Sequence, residues 1–257
     1  IQKLIDRLKP GENNGIYDVV LQNILELSKH QYGCRVIQTL LKQCNKEQVD
    51  RMLNEIYKEV KDLSEDQYGN YIIQYILTKK NFEVNDKIVE QILSNIVSFS
   101  KMKYSSNVIE KCFDFCTNNM KYSIIEKLCE ENIIKDLLKN MYGNYVIQKA
   151  MNFANGPQKL KFLEITAKEL NNLQFLPFGQ NLITKLVLTF PEIRDLSKTN
   201  ISSTHHLNSH TKTNNNLNLS NQNQLVNQAF NNNFNLNMAA SNPNLISMNN
   251  LGNMNNL

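Results

Sequence analysis

One pattern governs what this chain can become: an eleven-residue segment that returns five times. QYGCRVIQTLL starts at Gln31, QYGNYIIQYIL at Gln67, KYSSNVIEKCF at Lys103, MYGNYVIQKAM at Met141 and PFGQNLITKLV at Pro177, so the starts lie 36, 36, 38 and 36 residues apart. Ile1-Gln2-Lys3 matches Ile37-Gln38-Thr39 at the same interval, as the end of one more copy. A fixed period of this size marks a repeat architecture, in which each unit buries its apolar face on its neighbours.

Between the segments run amphipathic stretches such as Glu47–Tyr57 and Asn85–Val97. Their apolar residues recur at helical intervals, as Val49, Met52, Leu53 and Ile56 do. Each unit therefore reads as two helices, the repeated segment being the second. Ser28 and Ser64, each three residues before a Gln, resemble capping boxes that would start it. The expected fold is all-α, a helical solenoid.

Composition divides the chain. From about Lys198 onward, roughly a third of the residues are Asn and none is acidic. Residues 197–257 are accordingly expected to form a disordered low-complexity tail, and residues 1–196 the folded domain. The net charge of +4 is too small to argue for a nucleic-acid partner. Five cysteines without a CxxC pair, and a single histidine, His30, before the tail, suggest buried thiols rather than a disulfide framework or a metal site. No apolar run approaches a membrane span. With neither an initiator Met nor a signal peptide, the chain is expected to be a fragment of an intracellular protein.

The repeated segment has two faces. On a helical wheel Val36, Ile37, Leu40 and Leu41 form one stripe, while Cys34, Arg35 and Gln38 lie off it. The first and third of these are four residues apart and can act as a pair. Successive copies carry Cys34/Arg35/Gln38, Asn70/Tyr71/Gln74, Ser106/Asn107/Glu110 and Asn144/Tyr145/Gln148, and the last carries Gln180/Asn181/Thr184. Carboxamides both donate and accept and so can bond a base edge, whereas a carboxylate only accepts. Arg and Tyr present flat faces on which a base can stack. Polar residues on a solvated helix face would be the plainer reading. A solvated face, however, has no reason to keep a flat or amide residue between two edge-reaching groups at one register.

At these residues the sequence closely resembles the Pumilio, or PUF, family of RNA-binding repeat proteins, over about Ile1 to Leu196. The resemblance implies a right-handed superhelical α-solenoid in which the outer two residues of each triplet bond a base edge and the middle one stacks. It assigns Asn70 with Gln74, and Asn144 with Gln148, to uracil. Ser106 with Glu110 goes to guanine, and Cys34 with Gln38 to adenine. Arg35, Tyr71, Asn107 and Tyr145 would be the stacking residues. RNA runs antiparallel to the repeats in that family, so the predicted core is 5′-UGUA-3′, and the four triplets correspond to the last four of eight repeats. Gln2 would be the last reader of a preceding repeat, and residues 177–196 a capping half-repeat.

The resemblance further implies a cytoplasmic, non-enzymatic repressor of mRNAs carrying UGUA in their 3′ untranslated regions. Single-stranded RNA and recruited protein co-repressors would be its partners, with no cofactor, metal, membrane or small-molecule substrate. Two other readings belong beside it. A HEAT or armadillo scaffold has a longer period, of about 40–47 residues. A Pumilio-like ribosome-assembly factor binding RNA without selectivity would be expected to show degraded triplets. No P-loop, HExxH or GxSxG motif supports an enzyme.

Overall fold

A computed structural model describes residues 1–8, 12 and 14–204, for the last six the backbone alone. The contacts separate Ile1–Ile201 from Ser202–Leu257. Short α1 (Gln2–Ile5) and α2 (Asn14–Gln22) precede the first complete repeat. That repeat is α3 (Ile24–Ser28), α4 (Gly33–Gln43) and α5 (Lys46–Tyr57). The second is α6 (Val60–Glu65), α7 (Gly69–Leu77) and α8 (Phe82–Ile92). After a 3-10 turn at Leu93–Asn95 come α9 (Ile96–Ser100), α10 (Ser105–Phe115) and α11 (Asn118–Leu128). The fourth is α12 (Glu131–Lys139), α13 (Gly143–Phe153) and α14 (Gly156–Leu173), followed by α15 (Gly179–Thr189) and α16 (Glu192–Thr204). The described residues form an all-α solenoid with no strand. Helix α16 runs through the expected boundary at 196; the rest of the expected tail, 205–257, lies outside the described residues.

Each unit holds three helices, not the expected two. A short lead helix splits from the end of each amphipathic stretch at Asn23, Glu59 or Asn95, whose φ values of −117°, −125° and −107° accompany ψ between 9° and 24°. Such a break keeps the chain in the bridge beside the right-handed helical region and requires neither Gly nor Pro. Apolar periodicity passes across it almost undisturbed. Before α12 the break is a full one, with Glu130 extended, and the interval of 38 residues falls there.

The lead helix explains the glycine of the repeated segment. A Cβ on Gly33 would come within 2.3 Å of the Leu27 carbonyl oxygen, and one on Gly143 within 2.9 Å of the Leu137 oxygen. The backbones of lead and segment helix thus meet where a side chain does not fit. Ser105 holds this place in the third repeat, and its hydroxyl donates to the Phe99 carbonyl at 2.8 Å. A hydrogen bond replaces the void. That accounts for the first serine of YSSNVIEK.

Ser28 and Ser64 do not cap the segment helices. They are buried, and their hydroxyls donate to the carbonyls of Ile24 and Val60 within the lead helices. The starts are held two residues later in sequence. His30 Nδ1 accepts from the amides of Tyr32 and Gly33, and Asp66 Oδ1 from those of Tyr68 and Gly69. Asn140 Oδ1 accepts from Tyr142 and Gly143. Each satisfies two of the amides a helix start leaves unpaired.

The core is a row of segment-helix stripes: Ile37 and Leu40, then Ile72, Ile73 and Ile76, then Val108, Ile109 and Phe113, then Val146, Ile147 and Met151. Val36 and Leu41, assigned to the same stripe, pack at its edge. Outer helices α5, α8 and α11 cover it with Met52, Ile88 and Ile124. Asn85, also buried, ties neighbouring units by donating to the carbonyls of Leu77 and Phe115 at 2.8 Å each.

Candidate nucleic-acid interface

Segment helices α4, α7, α10 and α13 pack on one another in chain order, which sets their triplets in a row. The wheel placed the first residue of each triplet off the packed stripe. The structure buries all four: Cys34 is 1% exposed, Asn70 2%, Ser106 4% and Asn144 4%. The reason lies in the fixed start of the helix. In the second and fourth repeats this residue folds back on the preceding turn: the Asn70 amide donates to the carbonyls of Asp66 and Gln67, and the Asn144 amide to those of Asn140 and Met141.

The expected pairing across one turn is present in both Asn repeats. Gln74 Nε2 donates to Asn70 Oδ1 at 2.8 Å, and Gln148 Nε2 to Asn144 Oδ1 at 3.1 Å. Each Asn has both amide hydrogens engaged by carbonyls; Gln148 Nε2 also donates to the Asn144 carbonyl at 3.1 Å, so the fourth-repeat pair presents carboxamide oxygens, and the second-repeat pair adds the remaining hydrogen of Gln74. In the first repeat the Cys34 thiol donates to the Gln31 carbonyl, and burial pushes its pKa up, leaving it an uncharged contact. Gln38 reaches forward and donates to the Tyr71 carbonyl at 3.0 Å.

The middle residues form a second row. The Arg35 guanidinium lies 5.2 Å from the Tyr71 ring centroid and donates to Gln38 Oε1. Tyr145 is 41% exposed, with the Lys185 ammonium 5.1 Å from its centroid. Asn107 is tied to the Lys103 carbonyl. Beyond them Gln180 and Asn181 are exposed, and Thr184 bonds its own helix at Gln180.

Glu110 is the one acid among the first- and third-position residues of the triplets. Burial pushes its pKa up to about 7, against a smaller pull down from Lys149 and Lys185. It therefore passes between acceptor-only carboxylate and donor-bearing acid near neutrality. Sequence reasoning missed Lys149 and Lys185. Both stand one residue past a triplet, 36 residues apart, so the period held the signal.

The pattern of the Pumilio-family RNA binding repeat matches residues 23–57, 59–93, 95–129 and 134–164, together just over half of the chain. A Pumilio domain-containing protein of Schizosaccharomyces pombe is 28% identical over 195 residues, 76% of this chain and 29% of that protein. Pumilio homolog 12 of Arabidopsis thaliana is 27% identical over 72% of this chain and 31% of its own length. Among solved structures, PUF-8 in complex with PBE-RNA superposes with a TM-score of 0.65 at 31% identity, over 74% of this chain and 57% of that one. The Puf3 RNA binding domain bound to site A of the Cox17 RNA 3′ UTR recognition sequence gives 0.63 at 32% identity, over 72% and 58%. The chain spans about a third of the length of these curated relatives. The matched repeats follow the period of the sequence, and the chain belongs to the Pumilio family of RNA-binding repeat proteins.

Proposed function

We propose that residues 1–196 bind single-stranded RNA by sequence, reading 5′-UGUA-3′ with one repeat per base, from Asn144/Gln148 through Ser106/Glu110 and Asn70/Gln74 to Cys34/Gln38. One observation carries this reading. The third repeat keeps an apolar buried stripe like those of its neighbours, while Ser106 and Glu110 stand where the second and fourth repeats carry an Asn–Gln pair. A carboxylate can accept from both N1–H and N2–H of guanine, which a carboxamide cannot match with its single oxygen. Both Asn–Gln pairs offer acceptors for the N3–H of uracil, and Gln74 keeps a hydrogen for a uracil carbonyl, while Gln148 would exchange its bond to the Asn144 carbonyl for one to the base. Arg35, Tyr71, Asn107 and Tyr145 flank the bases, and stacking contributes about 1–3 kcal/mol per base.

Several related structures, among them Puf3 and Puf4, hold recognition sequences of mRNA 3′ UTRs. Their likeness supports RNA binding by this chain; we further propose a non-enzymatic, cytoplasmic role in which it docks on 3′ untranslated regions and lowers translation or stability through recruited proteins. The test is fluorescence anisotropy with short RNAs carrying UGUA, UUUA and UGUG. Wild type should prefer UGUA, and S106N/E110Q should prefer UUUA, each altered base contact counting for about 1–3 kcal/mol. Unchanged preference in the double variant would overturn the base assignments.

A further inference from the structure

The capping helix α15 carries a triplet that is turned outward or onto itself, yet the next residue, Lys185, points back into the row. Its ammonium lies 5.1 Å from the centroid of Tyr145, the stacking residue of the fourth repeat. In the first repeat Gln38 bonds the carbonyl of Tyr71, the stacking residue of the following unit. Glu110 and Tyr145 hold the same register one pair further along. That register sets Tyr145 in the repeat that follows Glu110, and its ring is the one on which Lys185 sits.

We propose that Lys185 is a specificity-determining residue of the Glu110 slot, acting through the charge of that carboxyl rather than by touching the base. The inference rests on the guanine reading above. The influence is mutual: Lys185 favours the ionised form of Glu110, and Glu110 favours the charged form of Lys185, whose pKa burial otherwise lowers. Each ion makes the other less costly to hold in a poorly hydrated place.

Four groups act on the Glu110 carboxyl. Lys149 comes from α13 and Lys185 from α15, while Lys111 and Asp114 share its own helix. Lys149 is bonded to Asp114 at 2.7 Å, so its effect and that of its partner oppose each other at Glu110. Lys111 lies against the Phe115 ring at 5.8 Å. Helices α7 and α9, packed against α10, carry no charged side chain; Tyr71 and Tyr75 are the titratable groups of α7. On α8, Asp86 accepts from Thr117, Glu83 pairs with Lys87, and Glu90 is exposed. On α6, Lys61, Asp62 and Glu65 are exposed. Lys185 is thereby the cation through which the cap, outside the coded repeats, reaches the guanine slot.

The experiment follows UGUA and UUUA affinities from pH 6 to pH 8.5 for wild type, K185M, K185R and K185M/E110Q. Any loss of stacking at Tyr145 scales the ratio of the two affinities alike at every pH, so the midpoint of that ratio reports on the carboxyl. In wild type that ratio should rise with pH, with a midpoint near 7. K185M should move the midpoint up by roughly half to one pH unit, and so reduce the ratio at pH 7 about two- to fivefold. K185R should keep the wild-type midpoint, and in the E110Q background K185M should leave the ratio flat. A K185M profile superimposable on wild type, or a K185R midpoint moved as far as that of K185M, overturns the proposal. Absence of any UGUA preference in wild type would overturn the guanine reading itself. Should K185M fold poorly, K185Q carries the same comparison.

Discussion

The Glu110 carboxyl should make the RNA-free chain less stable as the solution becomes more alkaline, and E110Q should abolish that loss. In the folded chain its pKa stands at about 7 against an ordinary 4.5. The folded state therefore holds this proton more tightly than the unfolded state. Its stabilising contribution is fully present below pH 4.5 and is lost as pH rises through 7. The full difference corresponds to about 3 kcal/mol, and roughly 1–3 kcal/mol remains once water and side chains relax around a half-buried acid. Glutamine has nearly the same shape and no charge. Urea denaturation followed by far-UV circular dichroism, at intervals from pH 4.5 to 8, should give curves that diverge, with E110Q gaining relative to wild type up to pH 7 and a constant difference above it. Other carboxyls titrate in both proteins and cancel. Parallel curves would show that Glu110 ionises as an exposed acid does, and the electrostatic account of the site would fall with it.

Three packing contacts invite simpler tests. G179A would set a Cβ 1.8 Å from the Leu173 carbonyl oxygen and should lower the urea midpoint markedly, by the equivalent of about 1–3 kcal/mol. G15A meets nothing within 4 Å on an exposed helix and should raise stability by about 0.5–1 kcal/mol in the same measurement. N85L would strip the Leu77 and Phe115 carbonyls of their shared donor, costing about 1–3 kcal/mol in thermal unfolding and loosening protection from hydrogen exchange at the join of the second and third repeats.

The sequence carried the repeat, the segment helices and the contact within the two Asn–Gln pairs because each rests on local chemistry. The period is counted, the stripe follows from helical spacing, and Asn with Gln four residues on is a contact any helix allows. The lead helices escaped it because the breaks at Asn23, Glu59 and Asn95 disturb neither composition nor periodicity. Asp66 and Asn140 escaped it as caps because, with His30, one position is filled by three residue types alike only in offering a side-chain acceptor. Burial of Cys34, Asn70, Ser106 and Asn144, and the altered proton affinity of Glu110, depend on what neighbouring turns and repeats bring against them. A wheel drawn for one helix contains none of that.

On the proposed reading, the hydrogen bonds inside the Asn70–Gln74 and Asn144–Gln148 pairs bear on how fast the chain would reject a wrong sequence. These side chains already stand in their paired rotamers without RNA, so little freedom remains to be lost when a base arrives. Encounter with matched and mismatched RNAs should then proceed at similar rates. A mismatched base would leave polar groups shielded from water and unbonded, and would be expelled sooner. Discrimination in such a chain is a matter of dwell time, set by how long an RNA stays rather than by whether it lands.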